Sequence, residues 1–401
     1  MRVLLVVPPL TGHVTPLRAV AVSLTAAGHT IAWCGPQPAL SKLTGVSLFP
    51  SPHSAPIPVF PAGSSDPFDV EQRPSELRGF AALRFLWQSY LIPLADSMAP
   101  GVRAAVERFA PDVILTDQQA LAGALAAKAL GVPWATSATT PSELTDPLRG
   151  LPKVADWVLQ LQHDLCDRHG VAPSDLRFSP HLILAFTTRE LSGPPAADLP
   201  VRYVGATTSA ASTVDFDGRL LDGRPLVIVT LGTSNAQAGI RFLSECNDAL
   251  AAMPAVQGLI VDPTGLLPGG PVLTAERIPQ VDLLARTSVL VCHGGHNTVC
   301  ESLSAGVPMV LAPIRDDQSA VAQCVVAAGA GVRLRFDRAL AEHVRQAVDT
   351  VLHTPGYTAA ATRLGHALAS AGGAEAAVRL LESLAPATEG GQPCPPTQIG
   401  I

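Results

Sequence analysis

A set of residues suited to binding an anion follows a short apolar run in the C-terminal half of the chain. The run, residues 289–292 (Val-Leu-Val-Cys), has the length and composition of a buried β-strand. The residues after it supply flexible backbone or side-chain donors: His293, Gly294, Gly295, Asn297 and Thr298. Glycine lets backbone N–H groups approach a ligand, and a helix opening at Asn297 would point its positive end at the same place. This order predicts a phosphate-binding turn, although a glycine pair alone would also fit a plain strand-to-helix turn.

Carboxylate and amide side chains continue the same stretch. Glu301 lies one turn into the predicted helix, where its carboxylate could accept hydrogen bonds from two ribose hydroxyls. Gly306 ends that helix, and a second apolar run, residues 309–312, follows it. Asp317 and Gln318 come beyond this second strand, at its carboxyl end, where ligands bind to parallel sheets. Residues 289–318 therefore predict half of a nucleotide-binding unit.

Preceded by Ile278-Pro279-Gln280, this stretch closely resembles the donor-sugar signature of the family 1 inverting glycosyltransferases. These are the GT-B transferases of macrolides, enediynes, carotenoids and plant natural products. Their signature runs from Pro-Gln through His-x-Gly-x-Asn-(Ser/Thr)-x-x-Glu and Gly-Val-Pro to Asp-Gln. The resemblance implies that donor-binding residues also include Gly12, Thr233, Ser234, Ile278 and Gln280. For the Gly-Thr-Ser loop that holds Thr233 and Ser234, a plain β-turn is the alternative.

The N-terminus resembles the same family's Gly-His-x-x-Pro motif, with Gly12, His13 and Pro16 in register. Pro8 to His13 are predicted to form a loop, and Thr15 and Pro16 to cap and open a helix. The resemblance implies that His13 is the catalytic base, a role suited to a side chain that titrates near neutral pH.

Asp117 ends a strand predicted at 113–116, and strands of a parallel sheet bring their carboxyl ends to one rim. It is therefore predicted to hold the His13 imidazole in one tautomer, as the aspartate of a Ser-His-Asp triad does. The alternatives are a helix-capping or loop-packing histidine at His13 and a helix cap at Asp117.

Three residues depart from the family pattern. Arg277 stands where plant members carry Trp two residues before Pro-Gln, so stacking on the base would differ. His296 replaces another Trp and is interpreted as a residue that lines the site. Val321 stands where the family usually carries Asn.

Strands and helices alternate along the whole chain, which predicts parallel sheets with helices on both faces. With the resemblance, the fold expected is α/β of the GT-B type, with two Rossmann-like domains facing across a cleft. The expected division is a first domain at 1–206, a linker at 207–224, a second domain at 225–373, a helix crossing back at 374–386 and a flexible tail at 387–401.

Composition narrows the classes of function. The 401 residues carry a net charge of −6 without a basic run, which argues against a nucleic-acid partner. The seven cysteines form no Cys-x-x-Cys pair, and an odd count argues against a disulfide framework. The N-terminal apolar run is too short for a signal peptide, and no segment reaches transmembrane length free of charge or proline. The chain is expected to be cytoplasmic, without membrane insertion, as a monomer or homodimer.

The expected activity is transfer of a sugar from a UDP- or TDP-sugar to a hydroxyl of a hydrophobic natural product in secondary metabolism. The acceptor would be a polyketide, enediyne or carotenoid-like molecule, bound near a Pro/Ser-rich segment at 50–74. No Asp-x-Asp motif appears in a suitable loop, so neither metal nor cofactor is expected. Two alternatives stay open: a hydrolysing nucleotide-sugar 2-epimerase and a non-catalytic helper protein of the same fold.

Overall fold

The computed structural model describes residues 1–37, 40, 57–63, 77, 79–196, 199–207, 214, 216–232 and 236–385, with the side chains of 236–238 left out. Thr233 and Ser234 lie outside the described residues. So do the predicted tail, about two fifths of the predicted linker and most of the predicted acceptor loop at 50–74.

The first half is built on a parallel sheet whose main strands are the Val- and Leu-rich runs of the sequence. Such runs, buried on both faces, are typical of parallel sheets. Within the described part of the chain, its strands are β1 (Arg2–Val6), β2 (Thr30–Gly35), β3 (Val59–Pro61), β4 (Val113–Asp117), β5 (Trp134–Ala138), β6 (Ile183–Ala185) and β7 (Val201–Tyr203). Their order is β3-β2-β1-β4-β5-β6-β7, and all neighbours are parallel.

Helices cover both faces of this sheet. They are α1 (Thr11–Ala26), α2 (Gly79–Arg84), α3 (Ile92–Phe109), α4 (Leu121–Leu130), α5 (Pro152–Arg168) and α6 (Arg189–Ser192). Between α2 and α3 the chain is π-helical over Phe85–Leu91, where the Ile92 N–H donates to the Trp87 carbonyl five residues back. Pro93, the next residue, has no N–H to donate, so the regular helical ladder is interrupted here.

The second half repeats this architecture. Of the residues described, its strands are β8 (Leu226–Thr230), β9 (Gln257–Val261), β10 (Leu273–Ala275), β11 (Thr287–Cys292), β12 (Met309–Leu311) and β13 (Gly331–Arg333). Their order is β10-β9-β8-β11-β12-β13, again all parallel. Its helices are α7 (Ala236–Ala251), α8 (Gln280–Leu284), α9 (His296–Ser304), α10 (Gln318–Ala327), α11 (Ala341–His353), α12 (Pro355–Ser370) and α13 (Gly373–Leu384).

Each sheet has one point at which the strand order reverses direction. In the first sheet it lies between β1 and β4, and in the second between β8 and β11. At such a point the connections leave to opposite faces, and the carboxyl ends of the two strands open a crevice that binds ligands. Asp117 is the last residue of β4, and His13 and His293 lie in the chain that follows β1 and β11. The topology therefore brings the predicted site residues to two crevices.

The last helix packs on the first half of the chain. Ala377, Val378 and Leu381 of α13 share one buried cluster with Val14 and Leu17 of α1. The Gly373 N–H donates to the carbonyl of Val204, next to β7, at 2.7 Å. Within the described part of the chain, no helix is both long and apolar enough to cross a membrane.

The start of α1 differs from the prediction. The helix begins at Thr11 rather than at Pro16, and Pro16 lies inside it. The side chain of Thr15 donates to the Thr11 carbonyl at 2.9 Å. Thr15 is therefore not the cap, and His13 lies in the first helical turn rather than in a loop. Since Pro16 has no N–H, the carbonyl of Gly12, four residues earlier, receives no bond from it.

Candidate active site

His13 and Asp117 meet at the rim of the first sheet. The His13 Nδ1 lies 2.9 Å from the Asp117 Oδ1, and the side chain of Asp117 is fully buried whereas that of His13 is 14% exposed. β1 and β4 are neighbouring parallel strands, which is why residues 104 apart in sequence come together. With Nδ1 engaged by the carboxylate, Nε2 is the ring nitrogen left to face a ligand.

The surroundings of His13 shift its pKa upward. Burial is the largest single influence on the pKa of His13 and lowers it, whereas the charge and hydrogen bond of Asp117 raise it. Asp317 and Glu143 add smaller contributions, so the pKa lies above its ordinary value of 6.5. Asp317 belongs to the second half of the chain, so its field on His13 shows that the two crevices face each other.

Thr139, which sequence analysis missed, completes this group. The Thr139 hydroxyl donates to the Asp117 Oδ2 at 2.7 Å. The Thr139 Oγ1 also lies 2.7 Å from the His13 Nδ1. The Gln119 N–H donates to the Asp117 Oδ1 at 2.9 Å. Thr139 directly follows β5, the strand beside β4, and a run of polar residues after a buried strand is the signal that could have indicated it.

Glu143 is a second residue that the sequence did not indicate. It lies in a short 3₁₀ helix, Pro141–Thr145, and pairs with Arg177 at 3.4 Å. Burial raises the pKa of Glu143, against the lowering effect of Arg177. Its charge acts on both His13 and Asp317, so this carboxylate lies near both residues.

In the second half, the ring of His293 occupies a space left by two glycines. A Cβ on Gly232 would lie 3.0 Å from its Cε1, and a Cβ on Gly295 would lie 2.4 Å from its Nε2. Burial and the charge of Arg315 lower the pKa of His293 to about 4, against a hydrogen bond to the Thr230 backbone that raises it. Its buried Nδ1 has no hydrogen-bond partner among the described residues. His293 is therefore a neutral imidazole with one polar atom available to a ligand.

The N-terminus of α9 lies directly beyond this histidine. Within the described residues no side chain caps it, and Gly295 occupies the capping position in extended conformation. Its first N–H groups, near Asn297 and Thr298, are therefore open to an anion. The Asn297 side-chain amide donates to the Gly12 carbonyl of the first half at 2.9 Å. This is the carbonyl that Pro16 leaves without a helical donor.

Glu301 and Gln280 form a pair behind the helix terminus. The Gln280 Nε2 donates to the Glu301 Oε2 at 2.6 Å. Burial raises the pKa of Glu301, while the Gln280 hydrogen bond lowers it. Gln280 thus orients the carboxylate predicted to bind ribose. Ile278, also predicted as donor-binding, is half-buried and packs against the core of the second half.

The loop before α10 presents Asp317. The Gln318 Oε1 accepts from the Ile314 and Arg315 N–H groups at 2.9 and 3.1 Å, so only its Nε2 remains for a ligand. Asp316 adopts a left-handed conformation with φ 54, which costs energy for a non-glycine residue. Burial and the neighbouring Asp316 raise the pKa of Asp317 to about 6.

Gly294, the first of the glycine pair, packs tightly against that same loop. It has φ +82, and a Cβ there would lie 3.2 Å from the Gln318 carbonyl. Both the backbone conformation and the space therefore require glycine at this position.

His296 does not line the site as predicted. Its ring is buried and its Nε2 lies 2.9 Å from the Phe186 carbonyl, in the first half of the chain. His296 therefore joins the two halves behind the cleft. In the described part of the chain, no group of three or more His, Cys, Asp or Glu side chains has the arrangement of a metal site.

In comparisons with known proteins, this chain is similar to sugar transferases. Residues 226–368 match the family model of UDP-glucoronosyl and UDP-glucosyl transferases. The chain is 29% identical over 429 residues to the 4'-demethylrebeccamycin synthase of Lentzea aerocolonigenes, covering 96% of this chain and 99% of the relative. It is 30% identical over 355 residues to the L-demethylnoviosyl transferase of Streptomyces niveus, covering 84% and 86%.

The fold is also similar to that of a solved spinosyn rhamnosyltransferase. The TM-score is 0.76 at 23% identity, with 95% of this chain and 100% of the other covered. Structures of that enzyme with thymidine diphosphate and with the spinosyn aglycone match with TM-scores of 0.73 and 0.74. The predicted α/β architecture of two facing parallel-sheet halves is thus the GT-B fold.

Proposed function

The chain belongs to the UDP-glucoronosyl and UDP-glucosyl transferase family and is a glycosyltransferase of the natural-product type, and we propose that it performs a single inverting transfer. The donor is a nucleoside diphosphate sugar, and the acceptor is a hydroxyl of a hydrophobic aglycone. The observation that carries this proposal is the His13–Asp117 contact at 2.9 Å, at the same cleft as the uncapped N-terminus of α9.

His13 is the general base of the proposed reaction. Its Nε2 takes the proton of the acceptor hydroxyl while that oxygen bonds to the anomeric carbon. Asp117 accepts the Nδ1–H and stabilises the imidazolium that forms. The bond from the anomeric carbon to the diphosphate breaks in the same displacement, so the product has the inverted configuration.

The leaving diphosphate is held by groups of the second half. The N-terminus of α9 contributes about 0.3–1 kcal/mol when exposed and up to about 2 kcal/mol when partly buried. Hydrogen bonds to charged oxygens contribute roughly 1.5–3 kcal/mol each. Asn297, Thr298 and the unpartnered His293 nitrogen are the side-chain candidates for such bonds. These donors replace a metal ion in the proposal, so neither a cation nor a cofactor is required.

The sugar and nucleoside are held on either side of the diphosphate. Asp317 and the Gln318 Nε2 bind sugar hydroxyls, and Glu301 binds the ribose. Both uridine and thymidine diphosphate fit this arrangement: the family model carries the name of UDP-sugar transferases, and the spinosyn enzyme has been solved with thymidine diphosphate.

The acceptor is proposed to bind against the apolar helices of the first half. Leu86 and Trp157 are partly buried side chains from the π-helical segment and α5 that pack at the edge of that core. The spinosyn enzyme, which has a similar fold, has been solved in complex with spinosyn aglycone, and this supports the proposal of an aglycone acceptor here.

Incubation of the protein with UDP- and TDP-sugars and a panel of aglycones, in the presence of a chelator, tests the proposal. A product that has the mass of aglycone plus sugar, in the inverted configuration, is expected. Free UDP and an epimerised sugar formed without any aglycone would indicate a 2-epimerase instead. Tight binding of UDP or TDP without any turnover across the panel would favour a non-catalytic helper, and failure to bind either nucleotide would refute the donor site.

A further inference from the structure

The hydroxyl of Thr139 lies between the two members of the His13–Asp117 pair. Its Oγ1 is 2.7 Å from the His13 Nδ1 and 2.7 Å from the Asp117 Oδ2, and only 6% of the residue is exposed. The Thr139 hydroxyl has one proton and donates it to the Asp117 Oδ2, because a charged carboxylate oxygen is a stronger acceptor than a ring nitrogen. The lone pairs of Thr139 then face Nδ1, and both neighbours of Nδ1 are acceptors.

Two acceptors around one nitrogen fix where the imidazole carries its proton. If the proton sat on Nε2, the bare Nδ1 would face the Asp117 Oδ1 at 2.9 Å and the Thr139 lone pairs at 2.7 Å. With the hydroxyl proton on Oδ2, both contacts would be repulsive. Turning the hydroxyl toward Nδ1 would relieve one contact but leave the buried Oδ2 without this donor. The Nδ1–H tautomer satisfies both, and it leaves Nε2 as the basic nitrogen.

We propose that Thr139 is a positioning residue that completes a His13–Asp117–Thr139 group, a step that rests on the proposed glycosyl transfer. Thr139 holds the carboxylate through Oδ2 while the Gln119 N–H holds it through Oδ1 at 2.9 Å. It thereby fixes the plane of the carboxylate and the tautomer of the base without touching the substrate. Asp117 ends β4, Thr139 directly follows β5, and His13 lies in α1, the helix that follows β1. These three strands are neighbours in the sheet.

The tautomer can be observed directly in the free protein. Nitrogen-15 spectra of labelled histidine distinguish a protonated ring nitrogen from a bare one, and loss of signals in His13→Gln identifies those of His13. We expect a protonated Nδ1 and a bare Nε2 in the natural protein. Thr139→Val keeps the shape but removes the hydroxyl, so a mixture of tautomers is expected. Thr139→Ser should restore the single tautomer.

Transfer kinetics provide the second readout. Thr139→Val should lower kcat about ten- to a hundredfold, the equivalent of one hydrogen bond to a charged group. The Kd for UDP or TDP should stay unchanged, and Thr139→Ser should recover most of the loss. Thr140→Val is the matched control, because the Thr140 hydrogen bonds to Gln118 run through its backbone. Thr139→Ala serves in the same tests if the valine variant does not fold.

The proposal is overturned if Thr139→Val keeps the natural tautomer and the natural kcat, or if Thr139→Ser behaves as Thr139→Val does. If the tautomer changes as expected but the natural protein transfers no sugar, the geometry stands and the proposed function fails. The two outcomes are therefore distinguishable.

Discussion

Two histidines face this cleft with pKa shifts of opposite sign. Burial acts on both, but His13 has the charge of Asp117 beside it, whereas His293 has the positive charge of Arg315 nearby. The pKa of His13 is raised above 6.5, and that of His293 is lowered to about 4. When the surroundings of two titratable groups shift their pKa values apart, the two groups commonly take different roles in catalysis. His13 is accordingly the base, and His293 stays neutral beside the diphosphate.

The first prediction concerns pH. His13 acts as a base only when deprotonated, so kcat/KM should rise with pH through a value above 6.5. Asp117→Asn removes the charge that raises this pKa and leaves the burial that lowers it. The rising limb should therefore move to lower pH, while the plateau rate falls. A pH profile of kcat/KM measures both changes, and a limb that stays in place would show that Asp117 does not set the pKa.

The second prediction concerns the space around His293. Gly295→Ala would place a Cβ 2.4 Å from the His293 Nε2, so the ring must leave its position. Affinity for UDP or TDP should fall roughly ten- to a hundredfold, the value of one charge-assisted hydrogen bond. His293→Ala should cost about the same, and the double variant no more. Affinity for the free nucleoside should change far less.

Calorimetry measures these affinities. Gly270→Ala is the matched control, because a Cβ there has nothing within 4 Å. Additive losses in the double variant, or equal losses for nucleotide and nucleoside, would place His293 away from the phosphates.

The third prediction concerns the ribose. Glu301→Ala removes two charge-assisted hydrogen bonds to UDP, at roughly 1.5–3 kcal/mol each. Thymidine diphosphate lacks the 2′-hydroxyl and should lose less. Gln280→Ala keeps the Glu301 carboxylate but removes the hydrogen bond that orients it. We therefore expect a loss of UDP affinity smaller than that of Glu301→Ala. Titration calorimetry with both nucleotides tests this, and unchanged UDP affinity in Glu301→Ala would refute the assignment.

At the scale of elements, a proline inside α1 frees the carbonyl that joins the two halves. Gly12 lies four residues before Pro16, and its carbonyl accepts the Asn297 amide at 2.9 Å. The Gly-His-x-x-Pro spacing therefore has a physical consequence. It places His13 in the first helical turn. It also leaves the Gly12 carbonyl, one residue earlier, free to accept a hydrogen bond from Asn297 in the second half of the chain.

The fourth prediction follows from that contact. Pro16→Ala supplies an N–H that competes with Asn297 for the Gly12 carbonyl. Thermal stability should hold or rise, because an interior proline costs a helix about 3 kcal/mol. Transfer should nevertheless fall several-fold, and in an Asn297→Ala background Pro16→Ala should cost nothing further. Melting curves and kcat/KM give both values. If the losses in kcat/KM of Pro16→Ala and Asn297→Ala were fully additive, Pro16 would not act through the hydrogen bond between Asn297 and Gly12.

The sequence predicted elements where apolar runs and glycines mark them, as at β4, β11 and α9. It missed β3, whose three residues, Val59–Pro61, stand in a Pro-rich segment without a strand pattern. It also began α1 five residues late, because Thr15 and Pro16 form a capping pattern that tertiary packing overrides. Local signals compete at helix ends, and the one that wins depends on contacts outside the window.

At the scale of the whole molecule, the candidate site depends on contacts that no local pattern contains. Thr139 lies 126 residues from His13, and the Phe186 carbonyl lies 110 residues from His296. The strand order brings Thr139 to His13, and the packing of the two halves brings Phe186 to His296. His293, Asn297 and Glu301 could be predicted because one turn and one helix hold them all.

The central claim is that His13 deprotonates the acceptor, and the transfer rate of His13→Ala tests it most directly. General base catalysis is worth roughly a hundred- to ten-thousandfold. The account predicts a loss of that size, with the Kd for UDP or TDP unchanged and with full activity in the control His353→Ala, an exposed histidine at the end of α11. Transfer by His13→Ala at the natural rate would contradict the account.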